Sequence, residues 1–270
     1  MSAVAAGGRR RQLTGSSLLT IVAMSVFVFL YIPLAVIILY SFSGGRIATW
    51  PVEDYTFSRY PEMWNDREIR AGILLSFRIG LISAFLAIVL GTLTAIAVDR
   101  FTFPGKSLLR FCVVLPITLP GIVTGVAMLS FFSVADVPLS TRTIIIGHTT
   151  FCITLVLNNV VARLSQIPRS LDEASADLGA TPWRTFWRVT FPLILPAIFS
   201  GGILAFTLSF DEIVVTLFLK GRDATLPLVI WGRLRQGFTP EVNAAATVIV
   251  GVSFVAVLLA NRVSRWTRPA

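Results

Sequence analysis

Two adjacent acidic residues, Asp211 and Glu212, lie within the apolar segment LAFTLSFDEIVVTLFL. An ionised side chain at the centre of a membrane span costs on the order of 3 kcal/mol, so such residues mark functional positions. Carboxylates in this setting bind a cation, form an ion pair with a neighbouring helix, or carry a proton along a relay. The pair therefore marks the part of the chain where we expect contact with a charged partner.

The second charged feature is Arg78, which lies in the apolar segment AGILLSFRIG. It falls roughly 10 Å inside its span at 1.5 Å per residue, a depth similar to that of Asp211 and Glu212. We therefore predict that Arg78 forms an ion pair with Asp211 or Glu212. That pair would either fix helix packing or belong to a solute pathway. Because two acids face one arginine, one carboxylate would remain free to attract a cationic solute.

The sequence contains no pattern typical of a metal, nucleotide or catalytic centre. Cys112 and Cys152 fall inside apolar stretches and serve as small apolar residues, and a single histidine, His148, cannot complete a metal site with them. The tripeptide GKS at 105–107 resembles the end of a P-loop, but Arg100 occupies the position of the required first glycine. We expect no cofactor in this chain and no enzyme activity.

The elements that carry these residues are membrane helices. At 55% hydrophobic and 14% charged residues, the 270-residue chain is too apolar for a soluble globular domain. The apolar residues come in blocks of about 20, the length at which a helix crosses a hydrocarbon core of roughly 30 Å. We predict an all-α membrane protein with six transmembrane helices, at residues 17–40, 71–98, 111–134, 143–161, 193–219 and 242–260.

Two segments depart from a simple membrane helix. In the third span, Pro116 and Pro120 interrupt backbone hydrogen bonds, while Gly121 and Gly125 are spaced for close helix packing. This span is therefore either a close-packed helix or a kinked one that lines a pathway. The apolar run 226–231 is too short to span a membrane, so we expect it at the interface or in a re-entrant loop.

Basic residues are distributed unevenly between the two sides of this topology. They exceed the acids in the segment 1–16, in the loop 163–192 and after the last span, whereas the loops on the opposite side are nearly balanced. The positive-inside rule then places both termini in the cytoplasm. We predict a cytoplasmic tail at 1–16, one transmembrane domain at 17–262 and a second tail at 263–270. Topology accounts for the net charge of +9, so we expect no nucleic-acid partner.

The longest cytoplasmic loop, 163–192, is patterned as a helix, a turn and a second helix. Ser170 and Glu173 fit a capping box, and Gly179 stands where a left-handed residue ends a helix. Thr181 and Pro182 fit the N-cap and first position of the second helix. The apolar stripe of the first helix consists of Leu171, Ala174, Ser175 and Leu178.

The same loop resembles the EAA motif of importer-type ABC permeases, in the runs 173–175, 178–180 and 189–192. One departure is Ser175, where that family usually has alanine, and serine is small enough for the same packing. The resemblance implies a coupling helix at 171–178 that inserts into a groove on a partner ATPase. Glu173 would either cap its own helix or contact that ATPase. The implied coupling residues are Leu171, Glu173, Ala174, Ser175, Leu178, Gly179 and Ala180.

Further segments, 100–106, 116–125, 147–148, 209–213 and 225–227, resemble the spermidine/putrescine branch of these permeases. The resemblance implies the type I importer architecture in a bacterial inner membrane, and a cationic polyamine as the solute. It also implies four partners: a second homologous permease subunit, a cytoplasmic ATPase dimer that binds ATP and magnesium, an extracytoplasmic substrate-binding protein, and membrane lipid.

Two other functions remain open at this stage. The chain would be an ABC importer permease for another small organic solute, or a proton-coupled secondary transporter with Asp211, Glu212 and His148 as a relay. Six spans without an evident internal repeat, together with the patterned loop, argue against the second. The aromatic loop 41–70 either forms an interfacial belt or receives the binding protein.

Overall fold

The computed structural model describes residues 3–45, 50–52, 54–236 and 240–265. This part of the chain forms twelve α-helices and one isolated β-bridge, between Ser43 and Tyr55. The helices are α1 Ala3–Tyr40, α2 Arg59–Asn65, α3 Arg67–Arg100, α4 Lys106–Thr118, α5 Gly121–Val134, α6 Thr141–Leu164, α7 Ser170–Asp177, α8 Pro182–Thr185, α9 Phe191–Asp211, α10 Val214–Leu219, α11 Leu226–Gln236 and α12 Pro240–Arg265, with a π-helical turn at Phe186–Thr190 between α8 and α9.

Among the described residues, five helical segments are long and apolar enough to cross a membrane, and α4 with α5 forms a sixth if that bent pair counts as one span. The all-α membrane fold with six spans is confirmed in this form. The five segments are Leu18–Tyr40, Arg67–Arg100, Thr141–Leu164, Pro182–Asp211 and Glu241–Leu259. At the chain ends, α1 already begins at Ala3 and α12 continues to Arg265, so helix extends into both predicted tails, 1–16 and 263–270.

The third span, predicted at 111–134 as either a close-packed helix or a kinked one, is bent. It breaks at Leu119 and Pro120, and the axes of α4 and α5 differ by 112°. Pro120 has no N–H to continue the ladder, and its ring forces Leu119 into the extended conformation observed there. A Cβ on Gly125 would collide with the ring of Phe218 on α10. The segment is therefore both bent and closely packed.

The fifth span also differs from the prediction at 193–219. Its helix begins at Pro182 within the loop and runs without a gap to Asp211, where it ends. The π-turn, closed by Phe191 N–H donating to the Phe186 carbonyl, comes directly before Pro192, which cannot donate to the preceding turn. The second helix of the loop and the fifth span are thus one element.

The chain divides into two compact units. In the larger one, residues 64–237 and 251–270, α3, α6 and α9 form the buried core. Glycines allow these helices to approach: a Cβ on Gly91 or on Gly201 would lie within 3 Å of α6 atoms. In the smaller unit, residues 1–63 and 238–250, Arg59 donates to the carbonyls of Ser43 and Gly44.

An ion-pair cluster joins α11 to the start of α3 within the larger unit. Asp66 is the N-cap of α3 and accepts from the amides of Glu68 and Ile69, and Arg233 Nη2 lies 2.7 Å from Asp66 Oδ2 and 3.1 Å from Glu68 Oε2. Burial alone would raise the pKa of Asp66, but these amides and the Arg233 guanidinium together hold its pKa below 3.8. This cluster fixes α11, which begins with the apolar run 226–231, together with a bond from Leu226 N–H to Ser76 Oγ.

Candidate functional site

The short helix α7 ends in a Schellman motif built on Gly179. The N–H of Ala180 donates to the Ser175 carbonyl at 3.0 Å, and the N–H of Gly179 donates to the Ala176 carbonyl at 2.8 Å. Gly179 has φ of +79°, and a Cβ built on it would meet nothing within 4 Å. The predicted helix end is confirmed, and the requirement for glycine is conformational because the surrounding space is open.

The start of α7 differs from the predicted capping box. The N-cap is Arg169, in a helical conformation and without a side-chain cap, and Ser170 is the first residue of the helix. The amides of Asp172 and Glu173 donate to the Arg169 carbonyl, so the first turn grows out of the preceding backbone turn. No hydrogen bond of the Glu173 side chain is found in the described part of the chain, which leaves its capping role without support.

One side of α7 is held to the core helices by polar contacts. Ser175 Oγ lies 2.9 Å from Thr185 Oγ1, so the serine that departs from the usual alanine makes a bond that alanine could not. Asp172 forms an ion pair of 3.0 Å with Arg100 at the end of α3 and accepts from Thr190 at 3.3 Å. No local pattern marks Asp172 and Arg100 as anchors, because their pairing joins segments that are distant in the chain.

The other side of α7 is exposed and partly apolar. Leu178 is 90% exposed, Leu171 is 41% exposed, and Glu173, Ala174 and Gly179 are exposed as well. Ser175 and Ala180 are half-buried. Exposed apolar side chains clustered on an eight-residue helix favour a partner that covers them. All seven predicted coupling residues thus lie on one short, fixed helix and its C-terminal turn.

A cavity of about 490 Å³ separates α7 from the ends of α3 and α8. Ile96, Arg100 and Phe186 line one wall, and Arg169 and Glu173 line the other. The helix is therefore attached through its polar anchors rather than through a dense apolar contact.

The far end of the fifth-span helix is Asp211, and the next two residues, Glu212 and Ile213, form a break before α10. Glu212 Oε1 accepts from the N–H of Val215 at 3.0 Å, and the Glu212 carbonyl accepts from Thr216 Oγ1 at 2.9 Å. Glu212 precedes the N-cap residue Ile213, and its side chain therefore supplies a capping acceptor to the first turn of α10. Asp211 is exposed, and its side chain has no hydrogen bond or ion pair among the described residues. The sequence predicted an unbroken helix here with two equivalent acids, and the structure gives them different roles.

Arg78 does not form the predicted ion pair with Asp211 or Glu212 in the described part of the chain. It is exposed and lines a cavity of about 400 Å³ together with Arg222 and Asp223. Helical side chains point toward the N-terminus of their helix, so the guanidinium extends toward Ala71 and away from the depth of its own Cα. Similar depth in two spans does not place two residues on facing sides.

Sequence reasoning assigned His148 only to a rival relay, whereas the structure places it beside the break. The ring is fully buried on α6. Its Nδ1 lies 2.7 Å from Ser209 Oγ on α9, and its Nε2 lies 2.9 Å from Thr216 Oγ1 on α10. Cys152 is a free, buried thiol that donates to the Ala205 carbonyl. Among the described residues, no group of histidine, cysteine and acidic side chains could hold a metal ion.

Comparison with known proteins identifies relatives over most of the chain. The family model described as "Binding-protein-dependent transport system inner membrane component" matches residues 87–270. The putrescine transport system permease protein PotI of Escherichia coli K12 is 36% identical over 252 residues, 88% of this chain and 89% of that protein. The spermidine/putrescine transport system permease protein PotC of Haemophilus influenzae is 33% identical over 242 residues, 89% of this chain and 93% of that protein.

Solved structures share the fold at lower sequence identity. A bacterial ABC transporter involved in the import of alginate covers 96% of this chain and 98% of its own, with a TM-score of 0.73 and 16% identity. The MetNI methionine ABC transporter covers 77% of this chain and 99% of its own, with a TM-score of 0.65 and 19% identity. At these identities the likeness concerns the fold alone.

Proposed function

Since the chain belongs to the family of binding-protein-dependent transport system inner membrane components and is the permease subunit of an ABC importer, we propose that its solute is a polyamine of the putrescine and spermidine class. The observation that carries this proposal is Asp211, an exposed carboxylate that has no partner among the described residues and lies at a break in a membrane helix. The relatives named above support the same class of solute.

The position of Asp211 favours a cationic ligand. It is the last residue of α9, where the helix dipole presents its negative end. A carboxylate there is destabilised by about 0.3–1 kcal/mol, and a bound cation would remove that cost. Glu212 is already engaged as the cap of α10, so Asp211 is the acid available to an ammonium group.

The backbone around Asp211 supports the same proposal. Non-helical backbone at membrane depth is tolerated where it faces protein or a water-filled cavity. In many transporters the C-terminal ends of broken helices contribute to cation sites near the middle of the membrane. The break at Glu212 and Ile213 combines such an end with a free carboxylate.

The energy for transport would come from a cytoplasmic ATPase dimer that binds ATP and magnesium and covers the exposed side of α7. The exposed Leu178 and Leu171 would enter a groove on that ATPase, with Glu173 facing the partner. The excess of basic residues in the loop and near both termini supports a cytoplasmic position for all three. A second homologous permease and an extracytoplasmic substrate-binding protein complete the assembly.

Coupling would run along the continuous segment Pro182–Asp211. At 1.5 Å per residue this helix is about 45 Å long, enough to reach from the loop across the membrane. Closure of the ATPase dimer would move α7, and the helix would carry that displacement to Asp211. Differential contacts of the ATPase with the two states of the permease would supply the driving force.

Reconstitution tests the proposal directly. The chain, its companion permease, the ATPase and the binding protein are placed in proteoliposomes, and uptake of labelled putrescine is followed with and without internal ATP. We expect ATP-dependent uptake that spermidine inhibits and a neutral sugar does not. Uptake driven by a proton gradient without ATP would favour a secondary transporter, and competition by an uncharged solute alone would favour another substrate class.

A further inference from the structure

The break next to Asp211 is bridged by a single buried imidazole. Ser209 belongs to α9, two residues before Asp211, and Thr216 belongs to α10, four residues after Glu212. Both hydroxyls contact His148, at 2.7 and 2.9 Å. We propose that His148 is a positioning residue of the solute site, and that it holds the two half-helices at a fixed spacing in its neutral, Nε2-protonated form.

The hydrogen-bond pattern determines which ring nitrogen carries the proton. The Thr216 hydroxyl has one hydrogen, and at 2.9 Å from the Glu212 carbonyl, which can only accept, that hydrogen is used there. This leaves Nε2 as the donor to Thr216 Oγ1. Nδ1 is then the unprotonated nitrogen and accepts from the Ser209 hydroxyl. The chain of donors runs from Ser209 through His148 and Thr216 to the Glu212 carbonyl.

Packing around His148 makes this bridge rigid. A Cβ on the neighbouring Gly147 would collide with Leu219, so α10 lies directly against α6 at this level. Thr143 Oγ1, one turn earlier on α6, lies 2.8 Å from the Leu219 carbonyl and 2.7 Å from the Ser140 carbonyl, so the two carbonyls share its one hydrogen. Helix α10 is thus held against α6 at Leu219, its last residue, and at Thr216 through the imidazole, which also sets where α9 stops relative to α10.

A His148 ring that stays neutral does not serve as a carrier in a proton relay. A doubly protonated imidazole would donate from both nitrogens, and the Ser209 hydroxyl would lose its acceptor. The donor chain ends on the carbonyl of Glu212 and does not include the carboxylate of Asp211. His148 therefore acts on the solute through backbone geometry and exchanges no proton with it.

The first test uses the fact that the chain has one histidine. The full chain, purified through a tag without histidine and placed in lipid nanodiscs, is labelled with nitrogen-15 histidine for ring spectroscopy. We expect a protonated Nε2 and an unprotonated Nδ1, and we expect Thr216→Val to move the proton to Nδ1 because Nε2 loses its acceptor. A wild-type ring protonated at Nδ1, or at both nitrogens, would overturn the proposal.

The second test measures putrescine molecules transported per ATP in the reconstituted complex, and so rests on the proposed function. One neutral hydrogen bond is worth about 0.5–1.5 kcal/mol, so Thr216→Val should lower this ratio by about two- to tenfold while ATP hydrolysis persists. Thr154→Val is the matched control, because Thr154 is a buried α6 hydroxyl that donates to Val113 on α4 instead.

The outcomes separate the two proposals. An unchanged ratio in Thr216→Val, or an equal loss in Thr154→Val, would show that His148 only stabilises the fold. A wild-type complex that hydrolyses ATP but moves no putrescine would count against the polyamine, and the ring spectrum would then still decide the role of His148.

Discussion

The geometry of α7 depends on the left-handed backbone of Gly179, and replacing that residue tests whether this geometry controls coupling. A side chain in this conformation costs roughly 1–2 kcal/mol, and a β-branched one costs more. Since no atom lies within 4 Å of the built Cβ, the cost comes from the backbone alone. A change of 1–2 kcal/mol shifts a two-state ratio by about 5- to 30-fold. The ratio of molecules with α7 at its docking angle to molecules with α7 in other orientations would fall by that factor.

We therefore expect ATP-driven uptake to be highest in Gly179→Asn, lower in Gly179→Ala and lowest in Gly179→Val, because asparagine tolerates the left-handed region and valine resists it. Uptake and ATP hydrolysis are measured together in proteoliposomes. Gly105→Ala is the matched control: Gly105 has φ of +84° and equally open surroundings, but it precedes α4. The Gly105→Ala variant should lose a similar amount of folding stability, but its uptake should stay coupled to ATP hydrolysis. Equal uncoupling by Gly105→Ala, or equal activity of the three Gly179 variants, would refute the reasoning.

Three further predictions concern the other contacts. Glu212→Gln should keep nearly full stability because an amide oxygen still accepts from Val215, whereas Glu212→Ala should lose about 0.5–2 kcal/mol, and equal melting temperatures for the two would contradict the cap. Leu178→Asp should abolish co-purification with the ATPase while the permease itself melts normally, since the side chain is 90% exposed. Because the pKa of Asp66 is depressed in the folded chain, its stabilising contribution is present above its unfolded value of about 4 and is lost as the pH falls through its folded value. Melting temperatures measured from about pH 6 to pH 3 should therefore drop more steeply in the wild type than in Asp66→Asn, and parallel curves would show that the contact with Arg233 contributes nothing.

The features that could be predicted from sequence were those that local chemistry determines. Hydropathy located the spans, and the sequence around Gly179, Thr181 and Pro182 correctly gave a helix end followed by a new helix. The predicted capping box at Ser170 and Glu173 does not form, because the turn at Pro168 and Arg169 already supplies carbonyl acceptors to the first amides of α7. A side-chain cap is redundant where the backbone continues in a helical conformation.

The break after Asp211 had no local signal, because no proline or glycine interrupts the apolar run around it. It is held by the side chain of Glu212 and by His148, whose partners lie 61 and 68 positions away. The pairing of Arg78 was predicted from depth alone, and depth does not define the direction in which a helical side chain points. Contacts of this kind follow from the packing of α6, α9 and α10 and cannot be read from one segment.

The most direct measurement of the central claim is the number of putrescine molecules transported per ATP by Asp211→Asn. Removing a charged partner costs about 1.5–3 kcal/mol, so we expect the ratio to fall by at least tenfold while ATP hydrolysis stimulated by the binding protein stays within about twofold. Asp136→Asn, the same change at an exposed acid after α5, should keep the wild-type ratio. An unchanged ratio in Asp211→Asn would contradict a cation site at the break.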